Sequence, residues 1–165
     1  MLGNPGIVPW ALIVGGVAII VIERAAKPRD EGRGVAELPL SKVLGVGFAQ
    51  CLAMVPGVSR SGATIMGALA MGINRKTAAE FSFFLAVPTM VGATTLEVAT
   101  KYDAMMAGST RVGWDHIALG FVVSFIVALV VIRAFVAYVS HSGFTPFAWY
   151  RIIAGSAALA WLTFA

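Results

Sequence analysis

Between Val43 and Ile73 the chain reads VLGVGFAQCLAMVPGVSRSGATIMGALAMGI, an apolar run broken at its centre by Pro56-Gly57-Val58-Ser59-Arg60-Ser61-Gly62. Each flank holds about a dozen residues, which at about 1.5 Å per residue reach about 18–20 Å and cannot cross a hydrocarbon core of about 30 Å. One long kinked span is the alternative. A proline, two glycines and an arginine at the centre favour instead a helix–turn–helix hairpin that leaves on the side it entered. Such irregular backbone persists at membrane depth only against protein or a watery cavity.

Composition agrees with a membrane setting. Of 165 residues, 59% are hydrophobic and 12% charged, against roughly 45–50% and 25% in soluble domains. A soluble globule this short would have to expose much of that apolar surface, because small domains bury only about two-thirds of their chain. The net charge is +4, and the charges concentrate between Glu23 and Lys42. An excess this local reads as a topology signal and not as a nucleic-acid surface. The single cysteine, Cys51, excludes an internal disulfide, and no CxxC or Cys/His cluster suggests zinc.

The rest of the chain supplies spans. Ile7 to Ile22, with Gly15 and Gly16 mid-way, is the first. Nothing basic precedes it and no small-residue cleavage pattern follows, so it reads as part of the mature structure. The polar loop Arg24 to Lys42 holds Arg24, Lys27, Arg29, Arg33 and Lys42, and the positive-inside rule places it in the cytoplasm. After the Val43–Ile73 hairpin, Thr77-Ala78-Ala79-Glu80 matches a capping box and predicts a helix start there. Phe81 to Ala99 is a span containing Pro88; Lys101 to His116 is a polar loop on the opposite face. Ile117 to Val139 is a span carrying Arg133. Ser140 to Pro146 is a tight connection, and Phe147 to Phe164 is a last span carrying Arg151. The predicted fold is an all-α polytopic membrane protein of four transmembrane helices plus one re-entrant hairpin.

The segment Gly57 to Thr64 has the parts of a phosphate cradle. Its glycines, Gly57 and Gly62, let backbone approach a ligand, the following helix presents unpaired N–H groups, and Arg60 offers planar donors matched to phosphate oxygens. The spacing imitates a P-loop, but Ala63 stands where that motif needs lysine and no strand precedes it. An arginine at the bilayer centre costs about 2.5–3.5 kcal/mol on insertion scales, so Arg60 needs a compensating anion. Arg151 either shares that cavity or snorkels to the interface; Arg133 reads as snorkelling or loop-facing. Ser59, Ser61 and Thr64 could turn to a common anion. A plain helix cap explains Ser61, which leaves Ser59 as the better nucleophile or phosphate ligand. A serine nucleophile needs a base, and neither His116 nor His141 is near it in sequence; both read as loop residues. Small residues four apart, Ala63 with Gly67 and Ala68 with Gly72, predict close helix packing. No pair of carboxylates suggests metal binding.

Three blocks carry a resemblance. Pro56-Gly57-Val58-Ser59-Arg60-Ser61-Gly62-Ala63-Thr64, then Phe81-Ser82-Phe83-Phe84-Leu85-Ala86-Val87-Pro88-Thr89, then Phe144-Thr145-Pro146-Phe147-Ala148-Trp149-Tyr150-Arg151 closely resemble, in order and spacing, the undecaprenyl-diphosphate phosphatases of the bacitracin-resistance type. The resemblance runs over essentially the whole chain. It implies a bacterial inner-membrane enzyme that removes the terminal phosphate of undecaprenyl diphosphate and so recycles the lipid carrier of peptidoglycan synthesis. It further implies an inverted-repeat fold, a divalent cation (Mg or Ca) and a site facing the periplasm. The family's phosphate-binding serine and arginine fall on Ser59 and Arg60, its threonine on Thr64 and its C-terminal arginine on Arg151, with Gly57, Ser61 and Gly62 as substrate-binding neighbours.

The family's N-terminal glutamate-rich motif and its histidine have no match here. The chain therefore resembles the second half, with the metal ligands expected outside it and a missing N-terminal half or split partner implied; a homodimer is a further candidate assembly, and nucleic acid is not a partner. Two functions follow. In one, Arg60 and Arg151 clamp the diphosphate while Ser59 attacks or positions the phosphorus. In the other, the chain is a transporter or lipid translocator for a phosphate-bearing anion, since broken helices and inverted repeats also build carriers.

Overall fold

The computed structural model describes residues 6–26, 34–106 and 114–164. It is helical: α1 Ile7–Ala25, α2 Leu40–Gln50, α3 Arg60–Ala70, α4 Arg75–Met106, α5 Trp114–Ser142 and α6 Thr145–Phe164, with short 3₁₀ turns at Val35–Glu37 and Cys51–Met54. Four helices (α1, α4, α5 and α6) are long and apolar enough to cross a membrane. The loop cations Lys27, Arg29 and Arg33 lie outside the described residues.

The Val43–Ile73 region folds as two short helices. α2 and α3 have 11 residues each, and α3 packs back along α2. At their base the Met71 sulfur lies against Gly45; further in, a methyl group placed on Gly67 would come within 2.5 Å of the Ala49 Cβ. The small residue at Gly67 therefore permits the close approach that its spacing predicted. Gly72 does something else: at φ +79° it ends α3, with its N–H donating to the Leu69 carbonyl at 2.9 Å.

α1 and α6 run antiparallel in the most extensive helix pairing among the described residues. Gly16 and Gly155 make it close, since a Cβ on Gly16 would lie 2.8 Å from the Ala148 carbonyl oxygen and one on Gly155 2.8 Å from that of Pro9. The core forms around α3, whose Ile65, Ala68 and Leu69 pack with Val46, Ala79 and Val139.

Helix boundaries depart from the sequence expectation at several points: α1 runs on to Ala25 and α2 begins at Leu40, both inside the stretch Arg24 to Lys42 read as a loop. α4 starts at Arg75, and its cap is Asn74, not Thr77: the Asn74 Oδ1 accepts from the Thr77 N–H at 2.9 Å. The capping-box match was one turn too late because Asn74, itself a strong cap, precedes it. The polar stretch Lys101 to His116 is helical at both ends, α4 reaching Met106 and α5 beginning at Trp114; a Glu97–Lys101 ion pair one turn apart supports the extension. Ser140 to Ser142 likewise stay in α5. Only Gly143 and Phe144 connect it to α6, with Gly143 at φ +71°.

That connection is held by a residue that reads, in the sequence, only as the charge ending a span. Glu23, near the end of α1, accepts from the Phe144 N–H at 2.8 Å and from the Thr145 hydroxyl at 2.8 Å. It also pairs with Arg75 Nε at 3.0 Å, its side chain only 6% exposed. One carboxylate thus ties the end of α1, the start of α4 and the start of α6 together, at the end of the bundle where the hairpin also has its base.

Candidate functional site

The hairpin tip is a type II turn. Val58 N–H donates to the Val55 carbonyl at 3.1 Å, Pro56 occupies the second position, and Gly57 the third at φ +92°. Glycine is required there twice over, since a side chain would also meet the Val8 carbonyl oxygen at 2.8 Å. Ser59 then caps α3, its Oγ accepting from the Gly62 N–H at 3.2 Å and lying 3.1 Å from the Ser61 hydroxyl. The cap is Ser59, not Ser61 as expected, because the extended backbone falls at residue 59.

Arg151 reaches this tip from the middle of α6. Its Nη2 donates to the Gly57 carbonyl at 3.0 Å and to the Ala11 carbonyl at 3.3 Å, while its buried Nε has no partner among the described residues. Snorkelling is therefore excluded: the guanidinium points inward. Gly15 makes room, as a methyl group there would lie 2.5 Å from Nη2. Nothing in the sequence named Gly15 for this role, although paired glycines in mid-span are the signature of a close approach.

A cavity of about 220 Å³ opens at this point, lined by Gly15, Ala18, Val58, Ser59, Gly62 and Arg151 among others. A Cβ on Gly62 would stand 3.5 Å from Ser59 Oγ and 3.6 Å from Arg151 Nη1, so the bare glycine leaves open space between hydroxyl and guanidinium. The walls are otherwise apolar, which strengthens the attraction of an anion to Arg151. A hydroxyl, an unsatisfied guanidinium nitrogen and the start of α3 form an anion-binding constellation.

Arg60 and Thr64 do not join it. α3 lines the cavity with Ser59, Gly62, Ala63, Met66, Gly67 and Ala70, a stripe at helical period. Positions 60 and 64 lie on another face, toward α4. Arg60 Nη1 donates to the Thr89 hydroxyl at 2.6 Å, and the Thr64 hydroxyl pairs with that of Ser82 at 2.7 Å. Thr64 is only 1% exposed, and its hydroxyl also bonds the Arg60 and Ser61 carbonyls, each at 3.1 Å. The clamp of two arginines on one anion is accordingly not the geometry of this structure: adjacency in sequence became divergence once Arg60 entered a helix that Ser59 only caps. Ser61 is exposed beside Ser59, and His116 and His141 are exposed on α5.

The donors facing the cavity, a hydroxyl and a guanidinium, do not fit a divalent cation. Among the described residues no three His, Cys, Asp or Glu side chains come close enough to hold a metal.

Comparison with known proteins places the chain in a family. Residues 1–157 match the family described as Bacitracin resistance protein BacA. An undecaprenyl-diphosphatase of Novosphingobium aromaticivorans is 67% identical over 162 residues, covering 98% of this chain and 60% of that protein. The corresponding proteins of Rhizorhabdus wittichii and Sphingopyxis alaskensis are 57% and 55% identical, each over 98% of this chain and 59% of their own length. This chain thus spans about three-fifths of the relatives it matches. A polytopic helical chain whose hairpin tip presents Ser59 to Arg151, matched over 157 residues by one family, belongs to the BacA bacitracin-resistance family.

Proposed function

We propose that this chain forms the diphosphate-binding part of an undecaprenyl-diphosphate phosphatase, which releases the terminal phosphate and returns the lipid monophosphate to peptidoglycan synthesis. The observation that carries the reading is the meeting of Ser59 and Arg151 across Gly62 in one apolar-walled cavity. Arg151 would hold the diphosphate through Nη1, which faces the space at Gly62, its Nη2 being engaged by backbone carbonyls. Ser59 would position or attack the terminal phosphorus, and the N–H groups at the start of α3 would stabilise charge on its oxygens. Hydrolysis adds water's oxygen to that phosphorus and breaks its bond to the bridging oxygen, which leaves on the lipid monophosphate.

Arg60, bonded to Thr89, would steady the hairpin tip against α4 and adjust the field at the site. The divalent cation expected from the resemblance would need ligands other than the cavity's own residues, and no step above depends on it. The basic residues near Glu23 and Lys42 support a bacterial inner-membrane orientation with that end cytoplasmic, which directs the hairpin tip, with Ser59 and Arg151, away from the cytoplasm toward the periplasmic side.

The test is phosphate release from undecaprenyl diphosphate by a protein of the relatives' full length containing this sequence. Arg151→Ala should lower kcat/KM by about 10²-fold or more, the scale of losing one preorganised donor. Unchanged turnover in Arg151→Ala and Ser59→Ala would falsify the assignment. Lipid flux in proteoliposomes without phosphate release would favour a carrier instead.

A further inference from the structure

We propose that the groove between the start of α4 and the end of α5 is a binding site for the headgroup of an anionic phospholipid. The groove encloses about 600 Å³ and is lined by Lys76, Glu80, Phe84, Arg133, Val136 and His141, with their neighbours on α5. It is separate from the Arg151 cavity and shares no residue with it.

Placement argues for a lipid. Lys76 is the second residue of α4 and follows Arg75, the partner of Glu23, so the groove opens at the end of the bundle where α1 finishes. Arg133 stands nine residues before the end of α5 at Ser142, roughly 13 Å along the axis. It is exposed on a helix whose most apolar window has 0% of its residues buried. Arg133 makes no hydrogen bond or ion pair among the described residues. A guanidinium at that depth on an apolar helix is relieved by an anion or by a flexible stem that carries the head to the interface, and a phosphate headgroup in this groove would supply the first at the end of the second.

Charge and shape fit the same occupant. Lys76 and Arg133 outweigh Glu80, and the His141 ring, with Nδ1 2.9 Å from the Ala137 carbonyl, sits at the rim. Phe84 and Val136 give the apolar wall that a glycerol backbone and the first acyl carbons would cover. Basic pockets of this kind between membrane helices hold anionic headgroups. The recognised chemistry is a phosphate monoanion; the acyl-facing wall assigns it to a lipid and not to free phosphate.

Native mass spectrometry of the full chain, released from detergent with equimolar phosphatidylglycerol and phosphatidylcholine, tests this. The native chain should retain phosphatidylglycerol preferentially, and Lys76→Gln/Arg133→Gln should weaken retention by about fivefold per cation removed. Lys101→Gln, the same charge change at the far end of α4, should leave retention unchanged. Lys76→Gln alone, at an exposed helix start, gives the same readout if the double variant does not fold. Equal retention of both lipids, or equal loss in the Lys101 variant, overturns the proposal. Displacement of the lipid by millimolar glycerol phosphate overturns the lipid assignment in favour of a soluble anion.

Discussion

Arg151 and Gly57 stand 94 residues apart in the chain, and the guanidinium Nη2 donates to the Gly57 carbonyl at 3.0 Å. This bond fastens α6 to the tip of the hairpin at the point where the backbone must turn through a positive φ. It engages Nη2 and leaves Nη1, 3.6 Å from where a Gly62 side chain would begin, to face the cavity.

Arg151→Lys keeps the charge and loses the fork. A lysine ammonium cannot bond two backbone carbonyls and also present a second planar edge. We expect phosphate release by the full-length protein to fall about 10²-fold, with the melting temperature lowered far less than by loss of the fold. A lysine variant with native kinetics would show that only charge matters at this position.

Adjacent glycines in α1 should separate function from stability. In Gly15→Ala the added methyl meets the end of a flexible arginine, which can move aside; activity should fall while thermal stability changes little. In Gly16→Ala it meets the Ala148 backbone oxygen and Ile152, so the helices must part, at about 1–3 kcal/mol. Denaturation and phosphate release measured on both variants check this, and identical profiles would contradict it.

The buried Thr64–Ser82 hydroxyl pair predicts a non-additive cycle. Thr64→Val strands the Ser82 hydroxyl, which is 4% exposed, and should cost about 1–3 kcal/mol. Adding Ser82→Ala should recover part of that loss. Residual activity in Thr64→Val should track the folded fraction; a drop in kcat at full folding would return Thr64 to the chemistry.

Loss of the Glu23 carboxylate should loosen three helices at once. Glu23→Ala removes charge-assisted bonds to Phe144, Thr145 and Arg75, each class worth about 1.5–3 kcal/mol when buried. Arg75 is 43% exposed and can turn to water, so the total should stay near the lower end of that sum. Glu23→Gln retains an acceptor for the Phe144 N–H and should lie between. Unfolding midpoints of the two variants rank them.

The hairpin was legible in the sequence because Pro56-Gly57 interrupts an apolar run too short on either side to span, a constraint of length that no packing detail can override. The four long helices were legible for the same reason. What escaped was phase and distance. Ser59, Arg60 and Thr64 look like one constellation on paper, yet a turn of 100° per residue sends Arg60 to Thr89 and Thr64 to Ser82, partners visible only once α4 lies against α3. Glu23 read as the charge that ends a span, since nothing local shows that its partner is 121 residues away. Asn74 lost to a better-matching motif three residues on, where a capping pattern alone cannot tell which of two candidates the backbone uses.

The antiparallel pairing of α1 and α6 fixes a parity. α1 begins where α6 finishes, with Gly155 beside Pro9 and the turn at Gly143 beside Glu23. The α2–α3 pair returns to its starting side and adds nothing to the tally of crossings. If α1, α4, α5 and α6 each cross, Ile7 and Phe164 open into one compartment, and a reporter fused beyond either of them should read out the same address.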